Sequence, residues 1–260
     1  MSKDEAIELI SGILDIAYDL LKQLSESKLE VSYSDKFFIG LLIRKRSILR
    51  DSLYVLKNHH DLEISSVFIL YRTLLDDFIR TFSVYASPTN IEEEIIKIEA
   101  DAHNHWYKNL KEQVEINNKY YNGNNPTLPT DNTYLTEKEK FLSDVSNDIF
   151  FEDKALFKFK KITPIARVFE IMSKDVKTIS NAHAYVVYKF LTQYVHYSNI
   201  TFLLNNTVES RKLEINQIEE IMLYTYKELL MHYDFLKDKY NLKWKDEKIM
   251  THFDSRTLSV

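Results

Sequence analysis

The sequence predicts an all-α protein, a single bundle of about seven to eight mostly antiparallel helices, and three observations carry that expectation. Glycine occurs three times in 260 residues, as Gly12, Gly40 and Gly123, where average usage would place roughly eighteen. Sheet-rich folds need glycine at positive φ in their turns, whereas each glycine inside a helix costs about 1 kcal/mol relative to alanine. Apolar residues recur at spacings of three and four through most of the chain, the period of a helix with one buried face. Ser2 with Glu5, Asn90 with Glu93, Thr136 with Glu139 and Asn216 with Glu219 each set a capping oxygen three residues ahead of a carboxylate. Such a pair satisfies amides that the first turn of a helix leaves without partners.

Taken in order, the spacing predicts helices over roughly 3–26, 34–59, 62–86, 89–121, 136–150, 163–175, 180–206 and 215–240. The first opens at the Ser2 cap, and the second ends at His59 and His60, where a cationic imidazole favours the negative pole of a helix. The fourth and sixth follow Ser87-Pro88 and Thr163-Pro164, hydroxyl then proline, the order of an N-cap and a first helical residue. Short connections among the first four helices favour antiparallel neighbours. The stretch 122–135 is rich in asparagine, threonine and proline without periodicity and reads as an exposed loop inside one helical domain over 1–241. The segment 242–260, with Lys243, Lys245, Asp246, Glu247 and Lys248, reads as a polar tail that frays.

Composition removes several function classes. With 45% apolar and 28% charged residues the chain has the balance of a globular protein, and a net charge of −5 gives no global attraction to nucleic acid or an anionic membrane. The absence of cysteine excludes disulfides, thiolate zinc sites and cysteine nucleophiles. Three glycines leave no room for phosphate-cradling loops or nucleophile elbows. The start, Met1-Ser2-Lys3-Asp4-Glu5, is acidic where a signal peptide is basic, so a cytoplasmic protein is expected. Ala184 to Leu204 is long enough to span a bilayer, yet it holds Lys189, Gln193, His196 and Asn199 and reads as a buried core helix, with no membrane partner.

Two helices carry the candidate site residues. On 62–86, Val67, Phe68, Leu70, Tyr71, Leu74, Leu75, Phe78 and Phe82 fill one half, leaving Arg72, Thr73, Asp76, Asp77 and Arg80 on the other. Arg72, Asp76 and Arg80 stand at i, i+4 and i+8, the spacing of a solvated ion-pair ladder. On 180–206, Tyr185, Tyr188, Thr192, His196 and Asn199 share one narrow sector of a nearly uncharged helix. That stripe either satisfies itself within the core or lines a wet pocket in which His196 exchanges protons near neutral pH. Glu99, Asp101, His103 and His105 look like a metal cluster as text, but residues two apart on a helix point to opposite sides, so no metal is expected. The basic run Arg44-Lys45-Arg46 with Arg50 reads as an exposed face, with nucleic-acid contact not favoured.

Arg72-Thr73-Leu74-Leu75-Asp76 and the later Thr192-Gln193-Tyr194-Val195-His196 resemble an uncharacterised bacterial all-α family, in which an R-S/T-L-L-E helix is followed much later by an S/T-x-x-V-H helix. Asp76 stands where glutamate is usual, which shortens the carboxylate's reach. The resemblance implies a helical domain without a settled activity and a link to bacterial stress or phage-defence systems. Helical HEPN-type ribonucleases set a histidine four to six residues after an arginine, a spacing absent here, although Arg72 and His196 could meet from two helices. Two readings follow. The first is a helical binding or interaction domain without cofactor, whose partner is a protein or a second copy of the chain and whose ligand meets Tyr185, Tyr188, Thr192 and Asn199. The alternative is a metal-independent HEPN-like ribonuclease or other acid–base enzyme in which His196 moves the proton, Arg72 stabilises an anion and Asp76 completes the site. The lack of a complete catalytic signature favours the first.

Overall fold

A computed structural model describes residues 2–58, 65–86, 91–174, 179–195, 208–246, 249 and 253. The chain is 80% helical, as an all-α reading requires. Its contacts cluster into two compact units, Met1–Ala86 with Pro164–Val260, and Ser87–Thr163, so the expected 1–241 domain spans both. No helix among the described residues is long and apolar enough to cross a membrane.

The first unit comprises α1 (Lys3–Glu26), α2 (Tyr33–Asn58), α3 (Ser65–Tyr85), α6 (Ile165–Lys174), α7 (Ile179–Val195) and α8 (Val208–Tyr240). Helix α1 starts as predicted, with the Ser2 hydroxyl accepting from the Glu5 amide and the Glu5 carboxylate accepting from the Ser2 amide. A second box, Ser32 with Asp35, opens α2. The Asp35 carboxylate also meets Lys239 and accepts from the Tyr240 hydroxyl at 2.9 Å, tying the start of α2 to the end of α8. The central helix is α8, which touches α1, α2, α3 and α7 and buries Ile221, Met222, Leu229 and Leu236 completely. It begins at Val208, so Asn216 lies inside it rather than capping it. Helix α7, expected to be buried all round, packs on α3, α6 and α8 but leaves Val186 and Lys189 exposed. Of the segment after Asn241, expected to fray, the described apolar residues are packed against the helices. Trp244 packs on Tyr226 and Tyr233, and Leu242, Ile249 and Phe253 are buried.

The second unit contains α4 (Ile91–Tyr121), α5 (Asp131–Ser143), a 3₁₀ turn (Val145–Phe150) and a hairpin of β1 (Phe151–Asp153) and β2 (Lys158–Phe159). Helix α5 starts five residues earlier than predicted because Thr130 and Thr133 form the capping box, leaving Thr136 in mid-helix. Rings from Tyr107, Phe141, Phe150, Phe151, Phe157 and Phe159 build the core, in contacts of 4.8 to 6.4 Å. Phe157 adopts φ 52° in the hairpin turn, a costly conformation for a bulky residue, and its ring meets those of Tyr107 and Phe159. The 122–130 loop hangs on one buried side chain. Asn117 donates its amide to the carbonyls of Asn125, Leu128 and Pro129 and accepts from the Asn125 amide.

Candidate functional site

The two helices singled out by sequence do meet. Helices α3 and α7 pack together, and Arg72 on α3 reaches across to the α7 stripe. Its Nη2 donates to the Tyr188 hydroxyl at 3.0 Å, its Nε lies 3.4 Å from the Thr192 hydroxyl, and its guanidinium carbon sits 5.0 Å from the centre of the Tyr188 ring. Thr192 donates in turn to the Tyr188 carbonyl, one turn back. Phe169 of α6 stacks on Tyr185 at 4.8 Å, and the Tyr185 and Tyr188 rings lie 6.4 Å apart and nearly parallel. Arg72, Tyr185, Tyr188 and Thr192 are all half-buried, so the stripe forms a shelf rather than a sealed core layer.

The ladder expected along α3 is not what Arg72 joins. Among the described residues Arg72 makes no ion pair, and Asp76, also half-buried, makes neither a hydrogen bond nor an ion pair. The aromatic face and two hydroxyls of α7 hold the guanidinium where an α3 carboxylate was expected to do so. His196 and Asn199 lie outside the described residues, as do His59, His60 and Asn90. No family model, curated protein or solved structure matches this chain.

A guanidinium offers five N–H donors in a planar fork. Arg72 donates to two neutral oxygens, and no described carboxylate forms an ion pair with it. The ring beneath it fixes the fork by cation–π attraction, worth about 0.5–1 kcal/mol at a partly exposed site. Such a planar fork suits an anion that presents two oxygens side by side, a carboxylate or a phosphate.

A second polar cluster escaped the sequence reading, which placed Lys45 on an exposed face. Lys45 is fully buried and contacts the equally buried Glu228 carboxylate directly. Thr81 donates to Glu228 Oε1 at 3.1 Å, and His232 Nε2 lies 3.4 Å from the same oxygen. Asp77, 4% exposed, sits beside this group and is met from outside by Arg44 at 3.4 Å. Burial, then the Glu228 charge, pushes the Asp77 carboxyl up to about 7 against the pull of Lys45 and Arg44. Burial alone would raise Glu228, but Lys45 and His232 hold it below the usual carboxylate range. Burial lowers the His232 imidazole despite Glu228 beside it. The signal for this cluster was the phase of the helices. Phe38, Leu42, Lys45, Leu49, Ser52 and Leu56 run at alternating steps of four and three, and Thr225, Glu228 and His232 do the same on α8, so the periodicity itself places them in the core.

The apparent metal cluster on α4 divides as its spacing requires. His103 packs between Phe141 and Phe150 at 4.8 and 4.9 Å, whereas His105 is exposed and faces Asp101 at 3.7 Å. Among the described residues no group of three or more such side chains could hold a metal ion.

Proposed function

We propose that the first unit is a helical binding domain that receives an acidic group of a ligand or partner at Arg72, on the shelf formed by Tyr185, Tyr188 and Thr192. The observation that carries this reading is the half-buried guanidinium held on the Tyr188 ring and neutral hydroxyls, with no described carboxylate against it. The acceptor completes the fork, and the tyrosine faces cover its apolar portion. The sealed Lys45 and Glu228 cluster has no exposed surface to offer a ligand and serves the packing of α2, α3 and α8.

Thermal unfolding in phosphate, against chloride at matched ionic strength, tests the reading. Phosphate at tenfold its Kd stabilises the wild type by about 1.4 kcal/mol, and Arg72→Gln abolishes the difference. Equal responses of wild type and variant would overturn the site. The alternative acid–base reading gains from one fact only, that Arg72 reaches Thr192, which precedes His196 by one helical turn in sequence. Cleavage of an RNA probe by the wild type, lost in both Arg72→Gln and His196→Ala, would favour the enzyme. Absence of cleavage leaves binding as the activity.

A further inference from the structure

The second unit contains a cleft of about 400 Å³ between α4, α5 and the 3₁₀ turn, a volume within the range of small-molecule sites. Its walls are aromatic. Phe141 and Tyr107 come from the core, the His103 ring lies against Phe141, and Trp106 is 47% exposed although it stands edge-on to Tyr107 at 4.6 Å. Leaving so much indole in solvent beside a cleft forgoes burial that a core position would provide.

The rim is acidic. Glu137 and Asp144 both line it, and the Glu137 carboxylate has no hydrogen bond or ion pair among the described residues. Its charge is felt inside the cleft, where burial first and then Glu137 push the Tyr107 hydroxyl up to about 12. Asp144 uses one oxygen, Oδ1, to accept from the Ser146 amide and hydroxyl, and these bonds hold its carboxyl below the usual range. Its other oxygen has no hydrogen bond or ion pair among the described residues. Lys140 is the one lysine on the rim and pairs with neither carboxylate, although each lies within one helical turn of it. Burial lowers the His103 imidazole, so it adds a neutral ring rather than a second cation.

Aromatic faces present negative quadrupole, and two carboxylates against one ammonium leave the rim net negative. We infer that this cleft binds a small organic cation whose charge is wrapped in apolar groups, a quaternary ammonium of the choline type, with Trp106 and Phe141 meeting the methyl groups and Glu137 and Asp144 facing the charge. A metal cation would find carboxylates too sparse and walls too apolar, and a neutral ring would gain nothing from the charges of Glu137 and Asp144. The site shares no residue with the shelf around Arg72, so the two proposals stand or fall separately.

Calorimetric titration of the full chain with choline, and with its uncharged isostere 3,3-dimethylbutan-1-ol, decides the matter. Choline is expected to give a saturable heat, with the isostere at least roughly tenfold weaker, the scale of one desolvated cation–π contact. Glu137→Gln and Trp106→Ala, both at accessible positions, are each expected to weaken choline by roughly fivefold or more, and Lys140→Gln to tighten it. Arg72→Gln is expected to change nothing. No saturable heat with choline up to about 50 mM, equal binding of the isostere, or indifference to both Glu137→Gln and Trp106→Ala would each overturn the inference.

Discussion

Asp77 makes the first unit's core sensitive to pH. In the folded protein burial and then the Glu228 charge push its carboxyl up to about 7, from an ordinary value of 3.8. Between those values the native state holds a proton that the unfolded state releases. Stability from this residue is therefore fully present below about pH 4, falls as the pH rises, and is lost above about 7. His232 works in the opposite sense, because its lowered imidazole keeps the native state neutral and costs stability as the pH falls through the unfolded value of 6.5. Glu228, also lowered, adds to that acid-side loss. Replacing Asp77 by asparagine keeps the shape and removes the charge. Urea unfolding should show Asp77→Asn more stable than the wild type at pH 8, by up to a few kcal/mol, with the advantage disappearing towards pH 4. The exposed Arg44 partner subtracts little from this gain. A variant less stable than the wild type at pH 8 would mean that Asp77 is ionised and well paired there. The sequence contained this cluster in the phase of α2 and α8, but charge at positions 44, 45, 46 and 50 reads as surface unless the four-three steps from Phe38 to Leu56 are followed residue by residue. What spacing could not supply was the partner, because Lys45 and Glu228 are joined only by the packing of two distant helices.

At the scale of elements, capping and local hydrogen bonding decided which predicted boundaries held. The Ser2 box fixed the start of α1 because cap and carboxylate both precede an uninterrupted apolar period. Thr136 with Glu139 offered the same letters inside a helix that Thr130 had already begun, so the motif was sound chemistry at the wrong turn. The β1–β2 hairpin was not legible. Strands of three and two residues carry too little alternation to register, and Phe157 at positive φ contradicts the usual choice of glycine or asparagine there. The loop after α4 was legible as a loop but not as a fixed one. Asn122 and Gly123, at φ 52° and 75°, reverse the chain so that the Gly123 amide bonds back to the Asn117 carbonyl, and the Asn117 side chain then holds three further carbonyls. Asn117→Ala strands those groups and should destabilise the second unit by about 1–3 kcal/mol. Amide exchange across 122–130 should accelerate in that variant. Asn118→Ala loses only an exposed bond to Asp131 and should change stability by less than about 0.5 kcal/mol. Equal exchange rates in the two variants would show that the loop does not depend on Asn117.

For the whole molecule, the division at Ala86 and Pro164 was written into the sequence as helix punctuation. Ser87-Pro88 and Thr163-Pro164 have the order of helix caps, and the same two dipeptides bracket a segment with its own aromatic core. Composition does not mark this division, because apolar content is shared along the chain and helical periodicity is blind to a unit closed by phenylalanines on a short hairpin. Each unit has one tryptophan, Trp106 in the second and Trp244 in the first. Their environments differ, with Trp106 beside the Tyr107 and Phe141 cluster and Trp244 between Tyr226 and Tyr233. Phe159 lies 5% exposed against Tyr107, Phe141, Phe151 and Phe157, so its truncation empties the second core alone. Phe159→Ala should cost that unit about 3–5 kcal/mol. In single-tryptophan backgrounds, Trp244→Phe and Trp106→Phe, urea titration should then show the Trp106 midpoint falling well below the Trp244 midpoint. Coincident midpoints that fall together would mean that the two cores unfold as one cooperative body, and the punctuation at Pro88 and Pro164 would mark helix starts and nothing larger.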